Sequence, residues 1–153
     1  MNLIRRSDLA IALLVSSMAL PAVADTFTIR MISEDPNIEG DSTMVFDPPL
    51  LRVALGDTVI FEPVQSGHNT ASKNGMIPEG VESWNSRIDE TFEITFSVDG
   101  TYGYVCMPHY LVGMVGMILV GDYSVNLDDA RAVRHRGHAK KAFKALFALV
   151  DAL

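Results

Sequence analysis

The chain has 153 residues, of which 48% are apolar and 20% charged, and its formal net charge at pH 7 is −7. This size and composition predict one compact domain with a hydrophobic core, and they exclude a disordered chain or a repeat array. The acidic balance also argues against nucleic acid as a partner, because such partners require clustered positive charge.

The first 24 residues predict a secretory signal peptide. Arg5 and Arg6 precede an apolar run over residues 9–20, and an A-x-A cleavage site ends at Ala24. The run is shorter than the roughly 20 apolar residues that a membrane-spanning helix needs. We therefore expect cleavage after Ala24, export to the periplasm and no membrane segment in the mature chain.

Residues 25–125 show the pattern of a β domain. Apolar and polar side chains alternate over 26–32, and turn residues such as Gly56-Asp57, Asp99-Gly100 and Gly121-Asp122 separate further short apolar segments. The other predicted strands are 51–54, 58–62, 91–98, 102–106 and 114–120. Short strands at this spacing predict an all-β fold, a Greek-key β-sandwich or barrel.

Residues 126–153 predict a helical extension packed on the sandwich. Asn126 is a candidate cap for a helix that begins at Leu127, and Gly137 interrupts the helical pattern. A second helix is predicted from about 139 to 152, with an apolar stripe at helical spacing. The extension holds six bases and three acids, whereas residues 25–125 hold four bases and 15 acids.

Cys106 is the only cysteine, so the chain cannot form an internal disulfide. A free thiol in an exported protein is either buried and inert, or paired between chains, or held by a metal as the thiolate. The neighbouring residues favour the metal. His109 and Met114 follow Cys106 within nine residues, at the point where one predicted strand turns into the next.

Two imidazoles, one thiolate and a weak axial thioether are the ligands of a blue-copper electron-transfer site. His68, after the strand 58–62, is the histidine of residues 25–125 that can join His109. The predicted copper ligands are therefore His68, Cys106, His109 and Met114. Met117 is the alternative axial ligand, but three positions further along a strand its side chain points to the opposite face.

Several further motifs occur in the order and spacing of one known family, and the chain resembles the pseudoazurins, which are cupredoxins, over essentially all of residues 25–153. The motifs are Met44-Val45-Phe46, Gly56-Asp57-Thr58, Gly67-His68-Asn69, Met76-Ile77-Pro78-Glu79-Gly80, Cys106-x-Pro108-His109-Tyr110 and Gly121-Asp122. The resemblance implies a cupredoxin fold and the same four ligands to one copper ion. It also implies that Asn69 braces the ligand loop and directs its backbone N–H at the Cys106 sulfur.

The resemblance further implies an electron carrier rather than an enzyme. The expected partner is a periplasmic redox enzyme in denitrification, such as copper nitrite reductase or nitrous oxide reductase, and the chain is expected to act as a monomer. A copper-delivery protein that uses the same site is the alternative function. His135 and His138 could form a second metal site, although a solvated basic tail is the preferred interpretation because metal sites usually need more ligands.

One departure from the family concerns charge. Pseudoazurins generally surround the copper face with lysines, but Ser66 and Val105 stand at two positions beside the ligands, and Lys73 is the nearby base. Glu34, Asp35, Glu39 and Asp41 make the segment after the first strand acidic. From the sequence we therefore expect a basic or neutral partner face, or a transfer rate that depends weakly on salt.

Overall fold

The structure is a computed structural model that describes residues 23–33 and 44–153. The predicted signal peptide lies outside these residues except for its last two, and the acidic positions 34–41 lie outside them as well. Within the described ranges, no helix has the length and hydrophobicity that crossing a bilayer requires.

Two four-stranded sheets form a sandwich. The strands in chain order are β1 (Thr26–Ile32), β2 (Val45–Asp47), β3 (Leu50–Val53), β4 (Thr58–Pro63), β5 (Ala71–Ser72), β6 (Phe92–Thr95), β7 (Gly100–Val105) and β8 (Val115–Val120). One sheet has the order β2-β1-β4-β6 and the other β3-β8-β7-β5. The pairs β1–β4 and β3–β8 are parallel and the remaining pairs are antiparallel. The predicted β-sandwich is confirmed.

Burial explains which strands the sequence revealed. β1 alternates between exposed and buried positions over its first residues, and its bounds match the prediction. Every residue of β7 and β8 is buried, because the first sheet covers one face of these strands and the C-terminal helices cover the other. The prediction omitted β2 and β5, which have only three and two residues and therefore show no measurable periodicity.

The core consists of two clusters, one on each face of the second sheet. The cluster between the sheets contains Phe46, Phe61 and Tyr104, whose rings meet edge to face with centroids 4.8–6.2 Å apart. The outer cluster packs Phe143 and its helix neighbours against the other face of β7 and β8. The predicted ligand Cys106 belongs to the first cluster.

A 3-10 turn (Tyr123–Asn126) leads into the C-terminal extension, which contains two helices, α1 (Leu127–Ala132) and α2 (Ala139–Val150). Asn126 occupies the predicted N-cap position of α1, but its side chain makes no cap hydrogen bond, so the predicted capping role is wrong. Instead its amide accepts a hydrogen bond from the Thr101 N–H at 2.7 Å and donates one to the Thr101 carbonyl at 2.9 Å. Asn126 therefore joins the extension to β7. Its side chain satisfies the buried N–H and carbonyl of Thr101 and is not hydrogen-bonded to the first turn of α1.

Candidate metal centre

One short loop carries three of the predicted ligands. Cys106 directly follows β7, His109 precedes a 3-10 turn (Tyr110–Val112), and Met114 directly precedes β8. The backbone holds the loop closed, since the Cys106 N–H donates to the Met114 carbonyl at 3.0 Å and the Met114 N–H to the His109 carbonyl at 3.2 Å. The chain turns back towards β8 at Gly113, whose φ of 100° lies in the left-handed region that glycine tolerates.

The loop after β4 brings the fourth residue, His68, against this turn. His68 Nδ1 lies 3.2 Å from His109 Nδ1 and 3.8 Å from Cys106 Sγ, and His109 Nδ1 lies 3.4 Å from the same sulfur. The centre of this triangle is about 2.0 Å from each atom, close to the metal–nitrogen and metal–sulfur bonds of about 2.0–2.3 Å in protein sites. The three donors therefore fit a single small metal ion.

The two candidate axial methionines lie on opposite faces of the second sheet. Met114 is fully buried in the cluster between the sheets, together with Cys106. Met117 is also fully buried, but it belongs to the outer cluster beneath α2. Of the two methionines, only Met114 shares the cluster of Cys106, which is the arrangement that strand alternation predicts.

His68 is oriented by a residue that the sequence did not indicate. Ser33 Oγ lies 2.8 Å from His68 Nε2 and is hydrogen-bonded to it. On the other side of the loop, Asp89 accepts hydrogen bonds from the backbone N–H groups of Gly67 and His68 at 2.6 and 3.3 Å. A hydrogen bond on one ring nitrogen fixes the orientation of the ring, so Nδ1 faces the other donors. No motif contains Ser33, so only the folded chain identifies it.

Asn69 has the bracing role that the resemblance to pseudoazurins implies. Its side-chain oxygen accepts the Met107 N–H at 2.8 Å, and its amide nitrogen donates to Asn85 and to the Ser86 carbonyl at 3.0 and 3.1 Å. The backbone N–H of His109 donates to the Cys106 carbonyl at 3.2 Å. Asn69 thus joins the loop that carries His68 to the loop that carries Cys106.

Burial shifts the pKa values of His68 and Cys106. Removal from water lowers the pKa of His68, and the neighbouring His109 ring adds to the effect, so His68 stays neutral and able to coordinate. Burial also raises the pKa of the Cys106 thiol, against the opposing effect of the Asn69 and His109 N–H groups. A thiol in this environment loses its proton readily only when a cation is bound beside it.

Comparisons with known proteins identify the family of the chain. A family described as copper-binding proteins of the plastocyanin/azurin family matches residues 34–121. The chain belongs to this family. The pseudoazurin of Methylorubrum extorquens is 36% identical over 149 residues, covering 97% of this chain and 96% of that one. The pseudoazurin of Paracoccus pantotrophus is 36% identical over 93% of this chain and 95% of its own.

Solved pseudoazurin structures have the same fold. The refined crystal structure from Methylobacterium extorquens superposes with a TM-score of 0.76 at 34% identity, covering 82% of this chain and 98% of that one. The native pseudoazurin from Hyphomicrobium denitrificans gives a TM-score of 0.74 at 33% identity over 80% and 96% of the two chains. The chain is thus a pseudoazurin-type cupredoxin that uses copper and transfers electrons, and it is not an enzyme.

The structure also places the two histidines of the tail. The ring of His135 stacks on Phe143 with centroids 4.1 Å apart, and its Nδ1 lies 3.1 Å from the Tyr110 hydroxyl. His138 is exposed, and its backbone N–H donates to the Leu111 carbonyl at 2.9 Å. Among the described residues, only His68, Cys106 and His109 bring histidine, cysteine or acidic donor atoms together as a metal cluster.

Proposed function

We propose that this protein carries single electrons between periplasmic redox enzymes, with His68, Cys106, His109 and Met114 as the ligands of one copper ion. The observation that carries the proposal is the convergence of three donor atoms on one point at the end of the sandwich. A copper ion held by these two imidazoles and this thiolate would supply one-electron chemistry between two oxidation states. The hydrogen bonds of Ser33 and Asn69 support the ligands in a fixed arrangement, which suits both states.

The exit for the electron is the edge of His109. His68 and Cys106 are fully buried, whereas His109 is half-buried and reaches the surface. Around it lies an apolar surface, the loop patch, formed by the exposed side chains of Met107, Leu111 and Val112. An apolar surface beside a partly exposed ligand allows a transient partner to approach closely, so the loop patch is the proposed docking site.

Positive charges lie beside the loop patch, and they change the expected charge of the partner from basic or neutral, as the sequence indicated, to acidic. Lys73 Nζ lies 4.9 Å above the Tyr110 ring, next to His109. The backbone of His138 is hydrogen-bonded to Leu111, so the basic tail runs along the edge of the patch and brings the exposed Arg136 near it. A positive edge favours an acidic partner, such as the expected copper nitrite reductase of denitrification, and a transfer rate that falls with ionic strength.

Copper delivery is the second candidate function, and the burial of the donors weighs against it. A delivery site must release its ion to an acceptor, but two of the three clustered donors have no exposed surface. The backbone hydrogen bonds between Cys106, His109 and Met114 also close the loop. We therefore expect slow copper exchange and fast electron exchange.

Two measurements test this function. The copper-loaded mature chain should show an intense thiolate-to-copper absorption band, and stopped-flow mixing with copper nitrite reductase should show rapid oxidation of the reduced protein. Leu111→Glu should slow this oxidation without changing the band. Leu55→Glu is the matched control, because Leu55 is also exposed but precedes β4, whereas His68 follows it at the other end. Equal slowing by both variants, or absence of the band, would contradict the proposal.

A further inference from the structure

A second concave site lies in the C-terminal extension, outside the proposed metal centre. It is a cleft of about 610 Å³ between the segment 131–135 and one face of α2. The helix contributes Lys140, Lys144 and Ala148, which follow one another at helical spacing and therefore share that face. Ala132, Val133 and Ala148 form an apolar floor, above the buried rings of Phe143 and Phe147. Cavities of this size commonly hold small molecules.

The charges that line the cleft are mostly positive. Arg131 forms an ion pair with Asp151 at 2.6 Å and lies over the Phe147 ring, so its charge is compensated. Arg134, Lys140 and Lys144 also line the cleft. These three are not ion-paired with any carboxylate of the ranges 23–33 and 44–153. The cleft therefore presents three uncompensated positive charges around an apolar floor.

Local helix electrostatics make this arrangement unfavourable by itself. The first turn of α2 contains no acidic residue, and the side chain of His138 does not cap the helix. Lys140 instead places a positive charge near the positive end of the helix dipole. The ammonium group of Lys144, one turn further along, repels that of Lys140. Natural proteins break such local rules at functional or strained sites, and an anion in the cleft would remove both penalties.

His135 forms the wall between this cleft and the metal-site loop. Its ring stacks on Phe143 and is hydrogen-bonded to Tyr110, the residue that follows His109. Its other nitrogen, Nε2, is enclosed and has no hydrogen-bond partner among the described residues. An enclosed polar atom of this kind costs free energy unless a partner is supplied.

We propose that this cleft binds a small organic anion with at least two carboxylate or phosphate groups on an apolar body. The negative groups pair with Arg134, Lys140 and Lys144, and the apolar body covers the floor. The concave shape and the volume favour a small molecule over the acidic surface of a protein partner. The site does not depend on the proposed electron-transfer function, since none of the four proposed copper ligands lines it.

The test is a titration of the full mature chain with benzene-1,4-dicarboxylate, benzoate and inorganic phosphate at constant ionic strength. Binding is followed by calorimetry and by the NMR resonances of the His135 ring. We expect saturable shifts of His135 with the dicarboxylate, weaker binding of benzoate, which has one charge, and weaker binding of phosphate, which has no apolar body. Absence of a saturable His135 shift with all three probes would overturn the proposal.

Matched lysine variants separate a built site from general attraction to a positive tail. Lys144→Gln and Lys140→Gln should each weaken dicarboxylate binding about tenfold, as expected for the loss of one charged contact. Lys141→Gln removes the same charge from the same helix, but Lys141 does not line the cleft. The affinity of this variant for the dicarboxylate should therefore stay within about twofold of that of the original protein. Equal weakening by all three variants would also overturn the proposal.

Discussion

The side-chain oxygen of Asn69 accepts a hydrogen bond from the backbone N–H of Met107 across a distance of 2.8 Å. This contact joins the loop that carries His68 to the loop that carries Cys106 and His109, which are 38 residues or more apart in the chain. The proposed copper site therefore depends on a polar clamp between two loops as well as on the four candidate ligands.

Replacing Asn69 should weaken the fold before copper is added. Asn69→Ala leaves the Met107 N–H and the groups of Asn85 and Ser86 without their partner, and we expect a loss of about 1–3 kcal/mol in the free energy of unfolding. Urea denaturation of the copper-free protein measures this loss. The exposed Asn74→Ala variant is the control and should change the stability little. Equal stability of the two variants would rule out the clamp.

Removing the Ser33 hydroxyl should lower copper affinity. Ser33→Ala deletes the hydrogen bond to His68 Nε2, so the imidazole loses the contact that fixes its orientation. The loss of such a supporting contact typically costs about 10–100-fold in metal affinity. Competition with a chelator measures the affinity, and Ser97→Ala at an exposed position provides the control. Affinity within the error of the control would show that Ser33 does not position the ligand.

The two buried methionines should differ in their effect on the copper centre. Met114→Leu and Met117→Leu make the same nearly volume-conserving change, so each should cost less than about 1.5 kcal/mol of stability. Met114→Leu should alter the EPR spectrum and the reduction potential, because Met114 shares the buried cluster of Cys106. Met117→Leu should leave both unchanged, because Met117 packs under α2. The opposite result would make Met117 the axial ligand.

Alkaline pH should destabilise the protein partly through Tyr102. Burial, assisted by the negative charge of Asp99, raises the pKa of Tyr102 to about 12, and its hydroxyl donates to the Val98 carbonyl at 2.8 Å. The pKa in the unfolded chain is about 10, so the stabilisation is complete below about pH 10 and is lost as the pH rises towards 12. The free energy of unfolding between these pH values should fall less in Tyr102→Phe. Parallel curves for the two proteins would contradict this assignment.

Regular patterns made most of the fold predictable. The alternation in β1 and the turn residues around the longer strands are local features, and the structure confirms the sandwich that they predict. The second helix was also predictable, because its apolar stripe repeats over a 12-residue element. The two-residue strand β5 was not, since it is a strand only because Ala71 and Ser72 pair with β7.

The chain by itself determined the fold class and the candidate donor set, because the thiolate, imidazole and thioether donors of one loop lie within nine residues and their chemistry favours copper. Only the tertiary structure decided what surrounds that set. Ser33 meets His68 across 35 residues, Asn126 bonds to Thr101 instead of capping a helix, and the basic tail runs beside the loop patch. The physical reason is that each of these contacts satisfies a polar group presented by a distant segment, and such a pairing has no local period or spacing in the sequence.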